Sequence, residues 1–204
     1  MIILGLTGSI GMGKTTTAAL FNEEGVPVFD VDAAVHRLYS EDIPLIKAIG
    51  TRFPKAIGGN TIDRTALGDL IREDKAALPA LEAIVHPAVA RARADWLEAK
   101  KEGGAKVVLF DIPLLFETGG EKMVDKVIVV SAPKAVQKQR VLSRPNMSEA
   151  RFSHLLSCQM PDEKKRKCAD FIIDTSKGLE DARRQVQSIL RQIKTQNPTG
   201  KDQS

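Results

Sequence analysis

The sequence predicts an α/β fold: a three-layer core with a five-stranded parallel sheet, a helical insertion and a helical lid. Three observations predict it. Gly8-Ser9-Ile10-Gly11-Met12-Gly13-Lys14-Thr15 fits G-x-x-x-x-G-K-[ST] at every fixed position, between an apolar stretch (Ile2, Ile3, Leu4, Leu6) and a helical one. Apolar runs of strand length recur at 26–32, 106–111, 126–130 and 170–174, with helical patterns between most of them. The stretch 33–103 is too long for a plain crossover between the second and third strands, so it reads as an inserted helical subdomain. The core is therefore expected at 1–32 and 104–204, with the lid at about 143–167.

In chain order, the glycine-rich turn after the first strand lets backbone N–H groups wrap an anion, and the following helix adds partial positive charge at its N-terminus. That helix stops near Gly25. The second strand carries Pro27 near its entry and Asp30 and Asp32 at its carboxyl end, where the two acids share a face if the strand stays regular. Short helices are expected at 33–39 and 44–53, a turn at Gly58-Gly59-Asn60, and an N-cap at Asp63 for a helix to about Arg72. Pro87 suits the first turn of a long helix with Val89, Ala92 and Trp96 as its buried stripe, ended by Gly103-Gly104. After the third strand, Ile112 to Glu117 either lines a pocket or packs beneath the inserted helices. Arg144-Pro145-Asn146-Met147 and Pro161 break the late basic region into short helices, as a hinged lid requires. Ala182, Val186, Ile189, Leu190 and Ile193 give the last helix one apolar face, and the polar tail 197–204 is expected to be disordered.

Composition sets bounds on function. The 204 residues are 43 % hydrophobic and 27 % charged, ordinary for a globular protein with a real core. Only one Trp and one Tyr are present, which argues against an aromatic platform for single-stranded nucleic acid. Cys158 and Cys168 match no zinc spacing and suggest no disulfide scaffold. No apolar run approaches a membrane span, and the first residues lack a basic targeting region, so a cytoplasmic protein is expected. The net charge is +4, yet residues 134–168 hold nine basic and three acidic side chains, so positive charge is concentrated late in the chain. A nucleic-acid binder concentrates charge this way, and so does a lid that closes over phosphates; the glycine-rich turn favours the lid.

Together these features describe a small-molecule phosphotransferase using a nucleoside triphosphate and Mg²⁺. Lys14 reaches the outer phosphates, the Thr15 hydroxyl holds the metal, and the lid arginines add cations. Asp32 is the candidate to accept or orient a hydroxyl proton, its alternative being a helix N-cap. Asp30 either binds metal through water or closes its strand, and Asp111 is either a metal-directed acid or a polar strand end. His36, one turn beyond Asp32, either touches substrate phosphate, tunes the Asp32 carboxylate or stays solvated; His86 faces the same choice, and His154 is expected to be structural. Most lysines of 164–167 are expected in solvent, with one or two on phosphate.

These residues resemble the dephospho-CoA kinase family over nearly the whole chain. The matching pieces are the P-loop, Val28-Phe29-Asp30-Val31-Asp32, Asp63-Arg64, Val85-His86-Pro87, Asp111-Ile112-Pro113-Leu114-Leu115-Phe116-Glu117 and Gln159-Met160-Pro161. The resemblance implies ATP-dependent phosphorylation of the ribose 3′-hydroxyl of dephospho-CoA, the last step of coenzyme A synthesis. It also implies a nucleotide-kinase-like core with strand order 2-3-1-4-5. By position, Asp32 activates the hydroxyl, while Gly11, Met12, Gly13, Lys14, Thr15 and Thr16 hold ATP. Arg140 and Arg144 become lid contacts to ATP, and Arg64, His86, Pro113, Leu114, Leu115 and Glu117 surround the acceptor. Ser9, Met12, Pro145 and Thr175 depart from the common pattern, Thr175 standing where Asn is frequent near the adenine. Rival readings are a nucleoside or nucleoside-monophosphate kinase, a nucleotide-binding switch, and a nucleic-acid binder. The absence of an Asn-Lys-x-Asp segment speaks against a GTPase. No nucleic-acid or membrane partner is expected, and a monomer is favoured with an oligomer left open.

Overall fold

The computed structural model of the protein describes residues 1–74 and 76–196. The elements are β1 (Ile2–Thr7), α1 (Lys14–Glu23), β2 (Val28–Asp30), α2 (Val31–Glu41), α3 (Ile43–Arg52), β3 (Ile57–Gly58), β4 (Thr61–Ile62), α4 (Arg64–Glu73), α5 (Ala77–Glu102), β5 (Val107–Asp111), β6 (Lys126–Ser131), α6 (Lys134–Leu142), α7 (Glu149–Ser157), α8 (Asp162–Lys167), β7 (Phe171–Asp174) and α9 (Leu179–Gln196). They form two compact units, Met1–Val28 with Ala105–Ser204, and Phe29–Gly104. The tail 197–204, expected to be disordered, lies outside the described residues.

The first unit is built on the sheet. Its strand order is β2-β5-β1-β6-β7, which counted along the chain is the expected 2-3-1-4-5. β1 pairs in parallel with β5 (Leu4 beside Leu109) and with β6 (Leu6 beside Ile128), and β6 pairs in parallel with β7. Central strands covered on both faces need apolar side chains in both directions, which is why Val108, Leu109, Phe110 and 127–130 are all buried. Leu20 and Phe21 of α1 and Val186, Ile189 and Ile193 of α9 pack into the same core as Leu4 and Ile173. Burying a side chain of this kind stabilises the fold by about 1.5–3 kcal/mol.

The second unit is helical around Leu38, Leu45, Ile49, Phe53, Leu67, Leu81 and Val85. Asp42 and Asp63 cap α3 and α4 by accepting N–H groups of Leu45 and of Thr65 and Ala66. Around the Gly58-Gly59-Asn60 turn the chain forms a small antiparallel hairpin, β3 with β4. Pro87 is not at a helix start. It lies well inside α5, which runs unbroken from Ala77 to Glu102. The apolar positions on both sides of it (Leu81, Val85, Ala88) share one buried face, and that packing outweighs the missing Pro N–H. The expected stripe of Val89, Ala92 and Trp96 is only half-buried, with Trp96 tilted against Phe29 at 5.4 Å.

Candidate active site

The first unit supplies a phosphate cradle. Between β1 and α1, Gly11 and Gly13 take left-handed φ values of 80° and 90°. Space demands glycine as well: a Cβ on Gly8 would stand 2.3 Å from Val130, and one on Gly11 2.4 Å from Val141. Met12 turns its side chain into the core, where its sulfur accepts the Ala132 N–H, so only its backbone belongs to the loop surface. Thr15 and Thr16 are exposed in the first turn of α1. Lys14 donates to Asp111 Oδ1 at 2.6 Å, and Asp111 is 4 % exposed at the end of β5. That contact gives Asp111 a definite task, as counter-ion of the P-loop lysine.

Behind the loop, Arg140 donates to the Thr175 hydroxyl at 2.8 Å and to its carbonyl at 2.7 Å. The Thr175 hydroxyl in turn donates to the Met12 carbonyl at 2.9 Å. Gly11, Gly13, Thr16, Arg140, Arg144 and Thr175 line a cavity of about 320 Å³ that continues to Leu179. A glycine floor, two guanidinium groups and a small apolar wall suit a nucleotide better than an apolar ligand.

The expectation for the run 164–167 needs a correction at Lys165. Its side chain is 0 % exposed and its ammonium stands 2.9 Å from Glu117 Oε1. Glu117 also accepts the Met160 N–H at 2.7 Å. Burial pushes the Glu117 carboxyl upward, but the Lys165 ammonium and the Met160 N–H outweigh it and hold it below the usual carboxylate range. Nearby, Asp162 Oδ2 accepts from the Ser131 hydroxyl at 2.8 Å, which ties the start of α8 to the end of β6. A lysine among four consecutive basic residues carries no mark of burial in the sequence. Gln137, which no motif marks, donates through Nε2 to the Ile10 carbonyl at 2.8 Å, and Gln159, from the Gln159-Met160-Pro161 piece, accepts the Ile10 N–H through Oε1 at 3.0 Å. The four-residue spacing of Gln137 and Val141, both buried on α6, was the available signal. In the stretch after β5, Pro113 accepts the Thr7 hydroxyl, Leu114 is exposed and Leu115 is fully buried in the core.

In the second unit the strand ends at Asp30, because Val31 already begins α2. Asp30 and Asp32 therefore do not share a strand face. Asp30 is the N-cap, accepting the Ala33 N–H at 2.9 Å, so the capping role weighed for Asp32 belongs to its neighbour. Asp32 is exposed in the first turn, and His36 follows four residues later on the same helix face. Arg64, at the start of α4, donates to His36 Nδ1 at 3.4 Å, which gathers Asp32, His36 and Arg64 in one region. Burial raises the Tyr39 hydroxyl and the nearby Arg64 charge opposes it. His86 and His154 are exposed, on α5 and α7.

A parallel sheet with this strand order and a lysine-bearing glycine loop before α1 defines a P-loop phosphotransferase fold. Comparison with known proteins narrows the class. Residues 2–181 match the CoaE family, Dephospho-CoA kinase. A dephospho-CoA kinase of Mesorhizobium japonicum is 54 % identical over 198 residues, covering 96 % of this chain and 98 % of the relative. Among solved structures, a Thermus thermophilus protein superposes with a TM-score of 0.82 at 37 % identity, covering 94 % of this chain and 97 % of its own. Dephospho-CoA kinase from Campylobacter jejuni does so with a TM-score of 0.72 at 27 % identity, covering 96 % and 98 %. The chain belongs to the dephospho-CoA kinase family.

Proposed function

We infer that the protein transfers the γ-phosphoryl group of ATP to the ribose 3′-hydroxyl of dephospho-CoA, giving coenzyme A and ADP. The observation that carries this is the family match, which runs without interruption through the phosphate cradle, the helical insertion and the lid segment. The cradle supports it independently: main-chain amides at Gly11 and Gly13, the α1 N-terminus and Lys14 together favour a polyphosphate. On binding, Lys14 exchanges its Asp111 partner for phosphate oxygens, while Arg140 and Arg144 face the rest of the nucleotide. The Thr16 and Thr175 positions belong to the same cavity.

We further propose Asp32 as the group that orients the acceptor hydroxyl and takes its proton. Its support is that Asp30 already satisfies the helix cap, which leaves the exposed Asp32 carboxylate available. His36, Arg64 and His86 would bind the acceptor's anionic groups, Pro113 and Leu114 its apolar parts. Mg²⁺ fits the oxygen chemistry here. Among the described residues no group of three or more His, Cys, Asp or Glu forms a metal cage, so the ion would depend on the Thr15 hydroxyl, water and the nucleotide's phosphates, as Mg²⁺ commonly does. When bound, it would neutralise charge on the transferring phosphoryl. Among the described residues no helix is long and apolar enough to cross a membrane, and both cysteines are free. We propose that the protein acts in the cytoplasm.

The test is an acceptor panel with purified protein, ATP and Mg²⁺: dephospho-CoA, AMP, adenosine and shikimate, with ADP release coupled to NADH oxidation and the product identified by mass. Coenzyme A formed from dephospho-CoA alone is the expected outcome. Turnover of another acceptor with none on dephospho-CoA overturns the reading.

A further inference from the structure

We propose that Gln137 is a positioning residue for the phosphoryl donor: through the carbonyl of Ile10 it aims the amide of Gly11 into the cradle. The proposal rests on the reading of the P-loop as the ATP site. In a planar trans peptide the C=O and the following N–H point in opposite directions, so whatever holds the carbonyl decides where the amide faces. The Ile10 carbonyl accepts from Gln137 Nε2 at 2.8 Å, which turns the Gly11 N–H away from α6. The peptide before it is held too, since the Ile10 N–H donates to Gln159 Oε1 at 3.0 Å.

Glycine makes such a clamp necessary. Gly11 has φ 80°, and a residue without a Cβ does not itself choose between this peptide orientation and its flip. A flipped peptide would present a carbonyl oxygen to phosphate oxygens and withdraw a donor. Gln137 is 5 % exposed, and a side-chain amide that deep is costly to bury unless it is bonded. The same construction recurs one turn on, where the Thr175 hydroxyl donates to the Met12 carbonyl at 2.9 Å and so aims the Gly13 amide. Two left-handed glycines are each oriented from behind by a nearly buried polar side chain. The departure at Thr175 thereby acquires a role that does not require contact with the base.

The experiment measures MgADP affinity by calorimetry and the two substrate KM values for wild type, Gln137→Met and Gln137→Glu. Methionine keeps the length and removes the donor. Its ADP Kd and ATP KM are expected to rise about ten-fold while the dephospho-CoA KM stays within about two-fold. In Gln137→Glu a carboxylate cannot donate to the carbonyl, whereas the protonated acid can. The ratio of its ADP Kd to that of wild type should therefore fall as the pH drops from about 8 to about 6, since burial raises the introduced carboxyl's pKa. A purely structural role lowers the melting temperature of both variants but leaves that ratio flat. A folded Gln137→Met with wild-type ADP affinity overturns the proposal, and if it does not fold, a flat ratio in Gln137→Glu does so. Failure of wild type to bind MgADP overturns the nucleotide reading itself.

Discussion

Replacing Glu117 by glutamine leaves the Lys165 ammonium, whose side chain is 0 % exposed, without the carboxylate that stands 2.9 Å from it. Removing one partner of a buried pair costs about 3–5 kcal/mol, because the remaining charge keeps its desolvation penalty and loses its compensation. For a chain of this length that corresponds to a fall of roughly 10 °C in Tm. The reverse change is milder. In Lys165→Met the Glu117 carboxylate keeps the Met160 N–H at 2.7 Å, and at 17 % exposure it retains some access to water. That variant should lose about 1–3 kcal/mol, and the double variant Glu117→Gln/Lys165→Met should return to within about 1 kcal/mol of wild type. Urea unfolding followed by circular dichroism measures all three. A Glu117→Gln variant no less stable than Lys165→Met refutes the reasoning. The pH dependence follows with the same sign. The Glu117 carboxyl lies below its ordinary range in the folded state, so its contribution is complete above the unfolded value of about 4.3 and is lost as pH falls through the lower folded value. In Glu117→Gln the acid side of the stability profile should be flatter. The double variant also allows the acceptor KM to be read in a stable protein, which separates an acceptor contact at Glu117 from its packing role.

Asp32→Asn should lower kcat by about 10²–10⁴-fold with ATP affinity nearly unchanged, and near-normal turnover in a steady-state assay would remove Asp32 from the mechanism. Lys14→Ala should raise the ATP KM and lower kcat together, and because Asp111 then loses the ammonium 2.6 Å away, ADP-free protein should also melt lower. Pro87→Ala restores a donor inside α5 at an exposed position, so thermal unfolding should move upward by about 1 kcal/mol or more; a fall would show that Pro87 has a packing role.

Local chemistry made much of this protein legible from its sequence. The P-loop, the buried parallel strands, the cap at Asp63 and the apolar face of α9 each depend on residues close together in the chain, and the structure has them where local rules put them. The sequence also carried the family, because its motifs are short and contiguous. What tertiary packing decided was of another kind. Pro87 lies mid-helix because residues on both sides of it bury one face, a gain no local propensity records. Asp30 rather than Asp32 caps α2 because the strand stops at Asp30, two residues early, and α2 begins at Val31. Lys165 shares its local pattern with solvated residues, and for Gln137 the four-residue spacing to Val141 is the one local sign of a buried face. Only the partners brought from far along the chain, Glu117 for one and the Ile10 carbonyl for the other, supply the bonds that make burying a charge or an amide possible.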